Sequence, residues 1–156
     1  MNLKFMKIRE DAKLPVRAHL TDAGMDIFYC PDPEAPALEE RGEFWIPPRE
    51  TCVLATGLRG EVPPGYMLEI KNKSGIASKR QLVVGACVID PGYDGEIFVN
   101  LHNIGNQTQI IEAGEKIAQA VLVPVVHCGV EEVFAEGDLN SETKRGPGGF
   151  GSTGRF

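Results

Sequence analysis

Apolar residues recur along this chain in short runs rather than at helical spacing. LKFMKI (3–8), TCVLATG (51–57), YMLEI (66–70), QLVVGACVI (81–89), EIFVNLHN (96–103), IAQAVLVPVVH (117–127) and VEEVF (130–134) each read as β-strand. Turn signals separate them: Pro63-Pro64-Gly65, Pro91-Gly92, Asp94-Gly95, Gly105-Asn106 and Ala113-Gly114. Many short strands at this spacing predict an all-β domain, whether sandwich, barrel or jelly roll. Pro124 has no N–H to give a ladder, so its strand is expected at an edge or bulged there. The stretch CPDPEAPALEERGEF (30–44) breaks the pattern. Acidic and rich in proline, it is expected to be a surface excursion with one helical turn at ALEER.

Composition narrows this picture. A chain of 156 residues fits one domain, and its eighteen glycines and eleven prolines suit a turn-dense β fold. The start, MNLKFMKIRE, lacks an apolar leader, and no run approaches the roughly 20 apolar residues of a membrane span. A cytoplasmic location without membrane association is therefore expected. A net charge of −6 argues against stable binding to nucleic acid. A small polyanion held by local cations remains compatible with it. Cys30, Cys52, Cys87 and Cys128 form no CxxC pair, and His19, His102 and His127 form no HExxH pattern. The cysteines read as small hydrophobes.

The candidate chemistry begins at the end of the chain, RGPGGFGSTGRF (145–156). Gly146, Gly148 and Gly151 satisfy GxGxxG, but no helix or βαβ unit follows, so a dinucleotide fold is excluded. Ser152 stands where a phosphate-binding loop would need lysine. Glycines still let backbone N–H groups approach oxyanions closely, and Arg145, Ser152 and Thr153 add donors. Phe150 has a face that could cover a base. An ordinary tail is the plainer reading of the same composition.

Three internal stretches add to this. Asp90 in CVIDPGYDGEI precedes a Pro-Gly turn with Tyr93 beside it, in what reads as a hairpin. A carboxylate there could serve as general base or simply initiate the turn. KNKSGIASKR (71–80) surrounds Ser74-Gly75 with Lys71, Lys73, Lys79 and Arg80, as a phosphate site or a solvated basic turn would. TDAGMDI (21–27) offers Asp22 and Asp26, and GEKIAQ (114–119) offers Gln119.

Taken in order, DAGMDI, KSGIASK, VIDPGYDGEI, GEKIAQ and RGPGGFGSTG resemble the five motifs of the trimeric dUTP pyrophosphatases (dUTPases), from about Leu3 to Gly154. The resemblance implies a jelly-roll-like β domain over 1–140 that forms a homotrimer. It implies a glycine-rich arm over 141–156 that closes a site at a subunit junction. The reaction implied is dUTP plus water to dUMP plus pyrophosphate, with Mg²⁺ on the triphosphate. By position, Asp90 would ready the water and Tyr93 would pack under deoxyribose. Asp26 would hold the magnesium through water. Lys73, Ser74, Gly75, Gln119, Arg145, Gly151 and Ser152 would meet phosphates, and Phe150 would stack on uracil. Backbone groups at Cys87 and Val88 would answer the O4 acceptor and N3 donor of uracil, a pattern that cytosine reverses.

Lys73 stands where the family often has arginine, Cys87 where it has glycine, Val84 where many members have asparagine, and Asp94 where a basic residue is frequent. Two other readings are a dCTP deaminase of the same fold and a trimeric regulatory binding protein with a residual nucleotide site.

Overall fold

Among the described residues the regular structure is almost all antiparallel strand, much of it with buried and exposed positions in alternation. The computed structural model describes residues 2–34 and 42–139. The strands are β1 (Lys4–Lys7), β2 (Met25–Phe28), β3 (Phe44–Ile46), β4 (Thr51–Ala55), β5 (Leu58–Glu61), β6 (Tyr66–Lys71), β7 (Leu82–Val84), β8 (Val88–Ile89), β9 (Phe98–Asn103), β10 (Gln109–Ile111) and β11 (Lys116–Pro124). One short helix, α1 (Ser74–Arg80), joins β6 to β7. The strands pair as β2-β11-β6-β8, β4-β9-β7, β1-β5 and β3-β10. The all-β expectation holds.

Inward side chains from these sheets meet in one core, including Ile27, Leu54, Leu68, Ile70, Leu101 and Ile117. All are at most 2% exposed. Burial of this kind is the main favourable term in the fold. Most polar groups taken inside are paired; among the described residues Arg9 Nε is buried without a partner. Asn103, 1% exposed, donates from Nδ2 to the carbonyls of Ile46, Pro47 and Gln107 and accepts at Oδ1 from the Gly105 N–H. That single amide ties two turns to β9. Arg9 and Glu96 form a largely buried ion pair, and Glu96 Oε1 also accepts from the N–H groups of Thr56 and Gly57.

The described residues fall into two compact units, the first ending at Val126 and the second beginning at His127. In the second, VEEVF forms no strand, and a short 3-10 turn spans Glu136–Asp138. Among the described residues no helix is long and apolar enough to cross a membrane.

Three more local expectations, besides VEEVF, need correction. QLVVGACVI is two strands, because Gly85 turns the chain there, its N–H donating to the Asn100 carbonyl and the Ala86 N–H to Asn100 Oδ1. KNKSGIASKR holds a helix rather than a turn. Pro124 ends a strand that is central, not peripheral: β11 lies between β2 and β6. Beyond Ala120, however, β2 no longer runs alongside, so the missing N–H of Pro124 costs no ladder bond on that side. In 30–44, residues 35–41, including the helical turn expected at ALEER, lie outside the described residues.

Candidate active site

β8 and β9 do not pair with each other. β8 pairs with β6, whereas β9 lies between β4 and β7. The expected hairpin is therefore a connection from one sheet to the other, and Asp90 stands where it leaves β8. The Tyr93 N–H donates to the Asp90 carbonyl at 3.3 Å, and Gly92 takes a φ of 87° that a side chain would resist. Further on, the Tyr93 hydroxyl donates to the Glu96 carbonyl at 2.7 Å. A Cβ at Gly95 would lie 2.5 Å from that hydroxyl, so glycine there lets the ring lie across the loop.

A cavity of about 230 Å³ opens at this connection, lined among others by Ile70, Cys87, Val88, Asp90, Tyr93 and Phe98. Four of the expected site residues thus share one wall. The Cys87 carbonyl accepts from the Ile70 N–H at 2.7 Å and keeps a lone pair for a ligand. Ordinary ligand sites occupy roughly 300–1,000 Å³, so this cavity suits a ring better than a whole nucleotide. A larger cavity of about 680 Å³ lies beside Arg9, Tyr29 and Cys30. Size favours that one, but the expected acid, ring and backbone groups line the smaller.

A second constellation forms where β2, β11 and the start of α1 meet. Asp26, 7% exposed, faces Gln119 in the β2–β11 register. Its Oδ1 accepts from Lys73 Nζ at 2.5 Å and its Oδ2 from Lys116 Nζ at 2.8 Å. Burial pushes the Asp26 carboxyl up, but the hydrogen bonds and charges of Lys116 and Lys73 outweigh it and hold the group below its ordinary value. Lys73 caps α1 with extended backbone, and Ser74 and Gly75 follow, both exposed. Gln119 Nε2 donates to the Asn72 carbonyl at 2.8 Å, and Asn72 Oδ1 accepts from the Val84 N–H at 2.6 Å. Val84 is thus held through its backbone.

Asp26, Lys73, Ser74, Gly75 and Gln119 lie outside the lining of the smaller cavity. Arg145, Phe150, Gly151 and Ser152 lie outside the described residues. Of the other basic groups, Lys71 turns to Glu69, and Arg80 turns to Glu115 and Gln109. Asp94 approaches Arg59 at 3.7 Å. Sequence reasoning missed Lys116 and Asn72. Lys116 stood in a quoted motif, but only the strand register brings it to Asp26.

Among the described residues no three His, Cys, Asp or Glu side chains converge as a metal cage. Asp26 fits a magnesium ion only through water. Each of its oxygens already accepts from an ammonium group, and a carboxylate retains further lone pairs. Direct ligation would set the ion against two positive charges.

Comparison with known proteins gives a consistent answer. Residues 10–154 match the family dUTPase. A deoxyuridine 5'-triphosphate nucleotidohydrolase of Gloeothece citriformis is 40% identical, over 99% of this chain and 97% of its own. The Staphylococcus bacteriophage 80alpha dUTPase, solved with dUpNHpp, superposes with a TM-score of 0.83 at 28% identity, covering 98% of both chains. A mutant dUTPase of phage phi11 of S. aureus, described with a structural Mg(II) ion, covers 85% of this chain and 97% of its own, with a TM-score of 0.73 at 27% identity.

Proposed function

This chain belongs to the dUTPase family, and we propose that it hydrolyses dUTP to dUMP and pyrophosphate with Asp90 readying the attacking water. The observation that carries this reading is the cavity shared by Asp90, Tyr93, Cys87 and Val88. It sets one acceptor carboxylate beside a ring and backbone groups suited to a pyrimidine. Asp90 takes the water's proton as the water attacks the α-phosphorus, an effect worth about 10²–10⁴-fold for a positioned base. Tyr93, held by its bond to the Glu96 carbonyl, presents its ring to deoxyribose and leaves no room for a 2′-hydroxyl. Backbone groups at Cys87 and Val88 answer uracil, and cytosine leaves them mismatched. Activity of this kind would limit uracil in DNA and supply dUMP.

Lys73, Ser74, Gly75 and Gln119 take the phosphate chain, and Asp26 holds a hydrated magnesium ion through water. When bound to the triphosphate, that ion would neutralise charge on its oxygens. Because these residues lie outside the lining of the Asp90 cavity, we infer a complete site only where copies of the chain meet, in a homotrimer. The exposed apolar side chains of Val53 on β4 and Phe98 on β9 suit such an assembly. Arg145, Phe150, Gly151 and Ser152 close the site in this reading.

Pyrophosphate release from dUTP, dTTP, dCTP and UTP, with and without Mg²⁺, tests the proposal, together with ammonia release from dCTP. Rapid turnover of dUTP alone is expected. Asp90→Asn should fold, bind dUpNHpp and lose at least about a hundredfold in kcat. Near-normal turnover by that variant would remove Asp90 from the base role.

A further inference from the structure

Asp26 has two ammonium partners where one would neutralise it. Its side chain is 9% exposed, whereas those of Lys73 and Lys116 are 28% and 47% exposed. A carboxylate so enclosed, stripped of its only cation, would have little water to turn to. Two cations remove that difficulty, because either can leave while the other stays.

The backbone arranges for Lys116 to be there. Residues three apart in an unbroken strand point to opposite faces of the sheet. Lys116 and Gln119 are three apart in β11, yet Lys116 pairs opposite Phe28 and Gln119 opposite Asp26, which share one face. The register shift between Lys116 and Ala118 makes this possible, since a bulge inserts one residue and resets the alternation. Ile117 and Ala118, both 0% exposed, fill the core at the bulge. Lys116 Nζ then passes 6.0 Å from the Phe28 ring on its way to Asp26.

Lys73 is the member of the pair placed next to the residues proposed for phosphate. It caps α1 directly before Ser74 and Gly75, and its own ammonium is the one adjacent to the proposed phosphate track. We propose that Lys116 is a positioning residue: it keeps Asp26 paired while Lys73 exchanges that carboxylate for the phosphate oxygens of dUTP. The inference rests on the hydrolysis reading above and adds to it the residue that makes the exchange affordable. One carboxylate between two ammonium groups also leaves a local positive excess in a chain of net charge −6, which favours a polyanion at this place.

The test uses the full-length chain and begins with parent turnover of dUTP. Lys116→Met should raise KM for dUTP and Kd for dUpNHpp by about tenfold and leave kcat within about twofold, the pattern of binding lost equally from ground state and transition state. Lys116→Arg should stay within about threefold of the parent. In an Asp26→Asn background Lys73 is released already, so adding Lys116→Met should change KM by less than about twofold. Thermal melting checks folding, and if Lys116→Met does not fold, Lys116→Gln carries the same expectations. Unchanged KM and Kd, a loss confined to kcat, or a full effect in the Asp26→Asn background would each overturn the positioning role alone. A parent chain inert toward dUTP would overturn the hydrolysis reading and this role with it.

Discussion

Cys52 and Cys87 carry the same thiol in opposite surroundings. Cys52 points from β4 into the core, where burial pushes its thiol up to about 11 against a small opposing hydrogen bond with the Leu101 backbone. An acid raised in the folded state keeps its proton after the unfolded chain has lost it. Stability from Cys52 is therefore whole below its ordinary value of 9.0 and drains away as pH rises toward about 11. Thermal melting from about pH 8 to about pH 11 should fall less steeply for Cys52→Val than for the parent. Equal slopes would show that the buried thiol carries no alkaline linkage. Cys87 is partly exposed and lines the Asp90 cavity. A thiol reagent at neutral pH should label Cys87 and Cys128 quickly and spare Cys30 and Cys52. dUpNHpp should protect Cys87 alone; labelling indifferent to that analogue would move the base away from the cavity.

Elements became legible in the sequence where burial alternates cleanly. TCVLATG and EIFVNLHN contain β4 and β9, and YMLEI covers all of β6 but Lys71, each with inward and outward positions in turn. β2 was hidden for a physical reason: all four of its residues are buried, including Asp26, so MDIF has no alternation to read. The three-residue strands β3 and β10 are too short to show a period and are fixed by pairing with each other. α1 offers no buried residue and hence no apolar stripe. The ordered motifs named Asp90, Tyr93, Asp26 and Gln119 as candidates. They did not reveal that a bulge sets Lys116 beside Asp26, nor that Asn72 anchors Gln119, because register is a property of paired strands. Gly24 ties the elements together. A Cβ there would lie 2.1 Å from Gln119 Oε1, the far end of a side chain on the neighbouring β11. Gly24→Ala should therefore displace Gln119 rather than the backbone. Melting should move by only a few degrees, while KM for dUTP rises by about fivefold or more with kcat little changed. A large drop in melting temperature with normal KM would mean that Gly24 serves packing alone.

At the scale of the whole molecule, the proposed reaction would need walls beyond the Asp90 cavity, and on that proposal the glycine-rich stretch 141–156 would provide one. Ordering about ten backbone residues costs roughly 10–20 kcal/mol. A ring stacked on a base returns about 1–3 kcal/mol, and each charge-assisted hydrogen bond returns about 1.5–3 kcal/mol. No single contact would offset the ordering, but on this proposal several phosphate contacts from Arg145, Ser152 and backbone N–H groups, with Phe150 on the base, would come close. Closure should then depend on a triphosphate: dUMP offers the ring but too few anionic oxygens. Truncation after Lys144 tests this directly. The shortened chain should keep its melting temperature and the sedimentation mass of a trimer, bind dUMP as the parent does, and lose about a hundredfold or more in turnover of dUTP. If it kept the mass and the full rate, the arm would have no part in catalysis, and the site would have to be complete within the folded bodies. If it lost the mass as well, the arm would hold the assembly together, and the activity loss would say nothing about closure until a cross-linked trimer of the truncated chain had been assayed.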